Sequence, residues 1–147
     1  MTTAWRFGPA SEADFEPLLA LRIDVMREHL ERVFRYDPER ARRTFRAHFH
    51  EPGLRLILVD EVTMGCVGFH VGAGQIRLES FYLDRRYHNT GLGTAILKVL
   101  LAEADALRLP IRLEVLNGSK ADRFYLRHGF VKLSEDTIEA TYERPVP

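Results

Sequence analysis

The spacing of apolar positions changes several times along this chain, and each change marks an element. Trp5 to Phe7 reads as a short strand, closed by Gly8-Pro9. Ser11 then offers an N-cap, with Asp14 at the spacing of a capping box. Behind it Phe15, Leu18, Leu19, Ile23, Met26 and Leu30 recur at helical spacing. A second helix opens at Asp37-Pro38, a cap followed by proline in the first turn. It carries Ala41, Phe45 and Phe49 and ends before Pro52-Gly53. The pattern then becomes extended over Leu54 to Asp60, Gly65 to Val71 and Gln75 to Leu83. A turn over Asp60 to Thr63 and the Gly72-Ala73-Gly74 turn join these segments into an antiparallel meander. Helical period returns from Thr94 to Leu107, through Ile96, Leu97, Leu100, Leu101 and Ala104, and Pro110 stops it. Ile111, Leu113 and Val115 alternate with Arg112 and Glu114, which gives a strand with two distinct faces. A short helix over about Ser119 to His128 ends at Gly129. A last strand covers about Thr137 to Glu143, with a short partner at Phe130 to Leu133.

The long helix after the fourth strand is a crossover connection, so the strands on either side of it run parallel. The expected fold is α/β (α+β). Its sheet is mixed, mostly antiparallel and twisted, with one parallel splayed pair and helices on both faces. The 147 residues fit one domain. Lys+Arg and Asp+Glu both number 21, so no net basic field argues for nucleic acid. Cys66 is the only cysteine, which excludes an internal disulfide and a multi-cysteine metal site. His48 and His50 lie two apart on a helix and face different ways, so they make poor joint ligands, and no metal is expected. No apolar run approaches ~20 residues, and Met1 to Gly8 lacks a signal-peptide core. A cytoplasmic location without membrane contact is the expectation.

Candidate chemistry concentrates in Tyr87-His88-Asn89-Thr90-Gly91-Leu92-Gly93-Thr94, where the fourth strand of the meander passes into the long helix. Glycines let the backbone approach an anion, and the first N–H groups of a helix have no partner within it. The spacing is neither that of a P-loop nor that of a dinucleotide-binding turn, and no P-loop lysine is present to favour ATP.

His88 through Gly93, preceded by Phe81-Tyr82-Leu83 and Tyr87, resembles the acetyl-CoA signature of the GCN5-related N-acetyltransferase superfamily. That signature is Gln/Arg, two residues, Gly, one residue, Gly/Ala. A second block, Val115, Ala121, Phe124-Tyr125 and Gly129-Phe130, is similar to the family's C-terminal motif, and the likeness covers about residues 75–145. Two residues depart from the pattern. His88 stands where Gln or Arg is usual, and Thr90 where Lys or Arg is common. Phosphate binding would then rest chiefly on the backbone from Asn89 to Thr94.

The resemblance implies acetyl transfer from acetyl-CoA to a primary amine by direct attack in a ternary complex. It gives the cofactor Tyr82, Leu83, His88, Asn89, Thr90, Gly91, Leu92, Gly93 and Thr94, with Ser119 and Ala121 completing the set. The family's Asn falls between Asn117 and Ser119, and its role is carried to neither. The pantetheine arm would enter between Ser80–Leu83 and Leu113–Leu116. A free N–H near Tyr82 or Leu83 would polarise the thioester carbonyl. Glu79 is the candidate base and Tyr125 the candidate acid for the departing thiolate. The first two helices would wall the acceptor pocket with Met26, His29, Tyr36 and Asp37. The acceptor is a small-molecule or peptidyl amine. Homodimers through the C-terminal strand or an exposed edge are an analogy of fold. A non-catalytic acyl-CoA-binding sensor or assembly module remains the alternative reading.

Overall fold

The computed structural model describes residues 4–33 and 37–147. Seven strands form one sheet in the order β1-β2-β3-β4-β5-β7-β6. β1 is Trp5–Pro9, β2 Leu54–Val59, β3 Val62–Val71, β4 Ile76–Leu83, β5 Ile111–Leu116, β6 Val131–Glu135 and β7 Glu139–Arg144. Every neighbouring pair is antiparallel except β4 and β5. α1 (Phe15–Val33) and α2 (Pro38–Phe49) cover one face, and α3 (Leu92–Leu107) covers the other, beside the short α4 (Ala121–Leu126). This is the mixed, doubly covered sheet that the periodicity predicts.

Local chemistry accounts for the boundaries. The Ser11 N–H donates to the Asp14 carboxylate at 2.8 Å, closing the capping box before α1. The Asp37 carboxylate accepts from the N–H groups of Glu39 and Arg40, which starts α2. Asp60 and Glu61 both take positive φ, 50° and 66°, so a two-residue turn joins β2 to β3 and β3 begins earlier than glycine placement suggests. α3 begins at Leu92, two residues before the sequence-based start, because left-handed Gly91 caps it. α4 is shorter than its sequence pattern because the Ser119 hydroxyl accepts from the Ala121 N–H and fixes the first turn there.

Two apolar layers hold the sheet. Ile96, Leu97 and Leu100 of α3 pack fully buried against Ile76, Leu78, Ile111 and Leu113. On the other face Phe15 stacks on Phe45 with ring centroids 5.7 Å apart, over Leu56 and Cys66. Arg42 and Arg46 fasten α2 across this layer. Arg42 pairs with Glu16, and Arg46 pairs with Glu12 at 2.7 Å while lying over the Phe15 ring.

Two irregularities position the site. The ladder between β4 and β5 holds only at Ile76↔Ile111 and Arg77↔Arg112, after which the strands part. In the β3–β4 ladder Cys66 faces Tyr82 but Gly68 faces Glu79, so a bulge intervenes, and Ser80 within it has φ 51°. The bulge resets the alternation and puts Glu79 and Tyr82 on the same face, toward α1 and α2.

Candidate functional site

The parting of β4 and β5 opens a cavity of about 160 Å³. Leu78 to Tyr82 line one side and Leu113 to Leu116 the other, with Met26 and His29 from α1, Ser119, Ala121 and Tyr125 around α4, and Glu139 from β7. Beyond Arg77 the β4 backbone has no ladder partner on β5, so that edge is left for an extended ligand.

At one end of this slot lies the glycine turn. His88 Nε2 is 2.8 Å from the Leu83 carbonyl, so the ring braces the turn from within and its N–H is spent on the backbone. Thr90 donates its hydroxyl to the Tyr87 carbonyl at 2.7 Å and accepts from the Leu92 N–H. Gly91 has φ 89°, and an added Cβ there would meet nothing within 4 Å. The turn therefore needs glycine for its left-handed backbone, and it stands open to a ligand. With the first N–H groups of α3 beside it, this fits a pyrophosphate, and the fit is a backbone one.

The middle of the slot holds the tyrosines. Tyr125 packs edge-on against Phe130 at 5.3 Å and Phe124 at 5.2 Å. Burial pushes its phenol pKa above the ordinary tyrosine value, and neighbouring Tyr82 adds to this, so the group stays protonated at neutral pH. The Tyr82 hydroxyl accepts from Arg22 Nε at 3.1 Å, so its side chain faces α1. Burial raises the Tyr82 pKa and Arg22 opposes that rise. Cys66, under the bulge, is fully buried and donates to the Ser80 carbonyl, and burial pushes its thiol up to about 12.

The far end carries charge. Glu79 Oε1 lies 2.9 Å from His70 Nε2, and Glu79 Oε2 lies 3.4 Å from Arg77 Nε and 3.8 Å from His48 Nε2. Glu114 of β5 and Glu139 of β7 are neighbouring carboxyl groups. Burial first, and then this contact, raises the Glu139 pKa.

A model of the acetyltransferase (GNAT) family matches residues 21–130. The chain belongs to the GNAT acetyltransferase family. Solved structures agree with the fold. An acetyltransferase from Thermus thermophilus superposes with TM-score 0.75 at 19% identity, over 97% of each chain. The PaiA N-acetyltransferase of Thermoplasma acidophilum, in complex with coenzyme A, gives 0.74 at 16%, over 97% of this chain and 99% of that one. A GNAT-family acetyltransferase from Staphylococcus aureus gives 0.72 at 15%, over 98% and 100%. No curated protein sequence matches the chain.

Within this GNAT domain the slot brings together Glu79, Tyr82, Ser119, Ala121, Tyr125, Met26 and His29. Leu83 and the turn His88 to Thr94 follow at the end of β4. Asp37 is not among the residues that line this cavity, and its carboxylate caps α2. Tyr36 lies outside the described residues. Asn117 donates its side-chain amide to the Asp136 carbonyl at 2.8 Å and so serves the β6–β7 turn, leaving Ser119 at the slot. Glu114, Glu139 and His70 carry no site signal of their own in the sequence, and His48 reads there only as a surface or pocket-rim residue. Alternation along β5 marked Glu114 as opposite the core, but nothing local says that β7 brings Glu139 beside it. Among the described residues no helix is long and apolar enough to cross a membrane.

Proposed function

We propose that the chain is an N-acetyltransferase that moves acetyl from acetyl-CoA to a primary amine by direct attack in a ternary complex. The observation that carries this reading is the parted β4–β5 pair, with an open backbone turn at one end and Glu79 and Tyr125 lining one cavity. The β4 edge pairs with the pantetheine amides, and the turn at Gly91 holds the pyrophosphate. An N–H near Tyr82 or Leu83 binds the thioester oxygen as charge develops on it. The acceptor arrives as an ammonium ion, drawn by Glu79, Glu114 and Glu139. It must lose a proton to attack, and Glu79 takes it directly or through one water. The Tyr125 hydroxyl gives its proton to the leaving thiolate. Its raised pKa keeps the proton available at neutral pH.

Direct attack, rather than an acyl-enzyme, is supported by Cys66. It is the one cysteine, it is fully buried, and its thiol is held protonated. Initial rates with acetyl-CoA and a panel of mono- and diamines test the reading. Intersecting double-reciprocal lines are expected. Parallel lines would establish a covalent intermediate and overturn direct attack. Acetyl-CoA binding by calorimetry without transfer to any amine would make the chain a non-catalytic acyl-CoA-binding module.

A further inference from the structure

Glu51, just after α2, His70 on β3 and Glu79 on β4 each offer a ligand atom, and these atoms all lie within 4.8 Å of one another. Two features separate this group from an ordinary polar cluster. His70 Nδ1 lies 2.6 Å from the Pro52 carbonyl, which can only accept, so Nδ1 carries the hydrogen. In the neutral ring Nε2 is then a bare lone pair. It faces Glu79 Oε1 at 2.9 Å, yet both atoms are buried and neither makes a hydrogen bond. Two lone pairs in buried contact repel, and either a proton on Nε2 or a metal cation against both atoms relieves that repulsion.

We propose that Glu51, His70 and Glu79 bind a divalent transition-metal cation of the zinc class. The donor set, one imidazole nitrogen and two carboxylates, suits Zn²⁺ or Co²⁺ and does not favour Mg²⁺, which prefers oxygen ligands. Three protein ligands leave a fourth position open. The supporting contacts are already in place. The Pro52 carbonyl fixes the imidazole tautomer, and Arg77 contacts Oε2 of both Glu51 and Glu79, which leaves Glu79 Oε1 for the metal. Space is provided as well, because a side chain at Gly68 would bring its Cβ within 2.7 Å of His70 Nε2. Occupancy would withdraw Glu79 from an acceptor's proton, so the metal would inhibit transfer. That consequence rests on the base assignment above, and the binding does not.

The test is calorimetric titration of the chelator-treated full chain with Zn²⁺, repeated with Mg²⁺, alongside visible absorption with Co²⁺ as the metal. The expected result is one equivalent of Zn²⁺ bound, no Mg²⁺ heat at the same concentrations, and a Co²⁺ spectrum of low-coordinate type. Glu51→Gln lies on the half-exposed side of the group and should leave the fold intact, while weakening Zn²⁺ at least about tenfold. His70→Ala should abolish the Co²⁺ spectrum. Absence of Zn²⁺ binding to the native chain would overturn the proposal, as would binding unchanged in both variants. Because no acyl donor is present, failure here leaves the acetyltransfer reading untouched, and failure of transfer leaves this one untouched.

Discussion

The two ends of the β4–β5 slot are built from different materials. At the turn, the exposed surface is backbone. Gly91 lies open at φ 89°, and the side chains of His88 and Thr90 are spent bracing the loop. At the other end, charged and titratable side chains gather from four elements: His48 of α2, Glu79 of β4, Glu114 of β5 and Glu139 of β7. Under the proposed function, a backbone cradle would hold the phosphate with no cationic side chain at His88 or Thr90. A side-chain end can be retuned by single substitutions, and under the proposed function acceptor choice would be set there.

Substitutions at the two ends should therefore separate cleanly. The largest effect belongs to Glu79→Gln. It should lower kcat by about 10²–10⁴-fold while the acetyl-CoA Kd, measured by calorimetry, stays the same. A variant with native kcat would remove Glu79 from the base role. Tyr125→Phe should lower kcat by about 10²-fold with no change in acetyl-CoA affinity, read by thiol release. Equal turnover with every active amine would return Tyr125 to a packing role.

Gly91→Ala breaks the other end. Its Cβ meets no protein atom, but the left-handed backbone costs about 1–2 kcal/mol. Acetyl-CoA binding should weaken about tenfold, with the acceptor KM unchanged at saturating donor. If acceptor KM moved instead, the division between the two ends would fail.

Glu139→Gln is a smaller, pH-dependent test. The folded state raises the Glu139 pKa, through burial first and Glu114 second, so ionising it costs stability. That cost is absent below the ordinary carboxylate range and appears as pH rises through the raised pKa. Glu139→Gln should leave Tm unchanged in acid and raise it at neutral pH, while increasing KM for a diamine. The smallest effect is expected from Thr90→Lys. It adds a cation to the turn and should tighten acetyl-CoA a few-fold at low salt, with the gain disappearing at about 1 M.

Much of this molecule could be read from local pattern. The Ser11–Asp14 box, the Asp37 cap and the alternation of Ile111, Leu113 and Val115 each depend on residues a few positions apart, and each element formed where those signals lie. Gly91 was legible for the same reason, since a positive φ next to a helix start is a local demand. Asp37 caps its own helix, as its place before Pro38 signals.

The sequence by itself determined the order of elements, the parallel crossover and the glycine turn, because periodicity, caps and turn chemistry act over one or two turns of chain. Only the tertiary structure decided which charges meet. The bulge at Ser80 turns Glu79 and Tyr82 to one face. The Pro52 carbonyl fixes the His70 tautomer from 18 residues away. The strand order then carries Glu139 of β7 to Glu114 of β5. Such contacts depend on the register and twist of the whole sheet, and no short window of sequence records them.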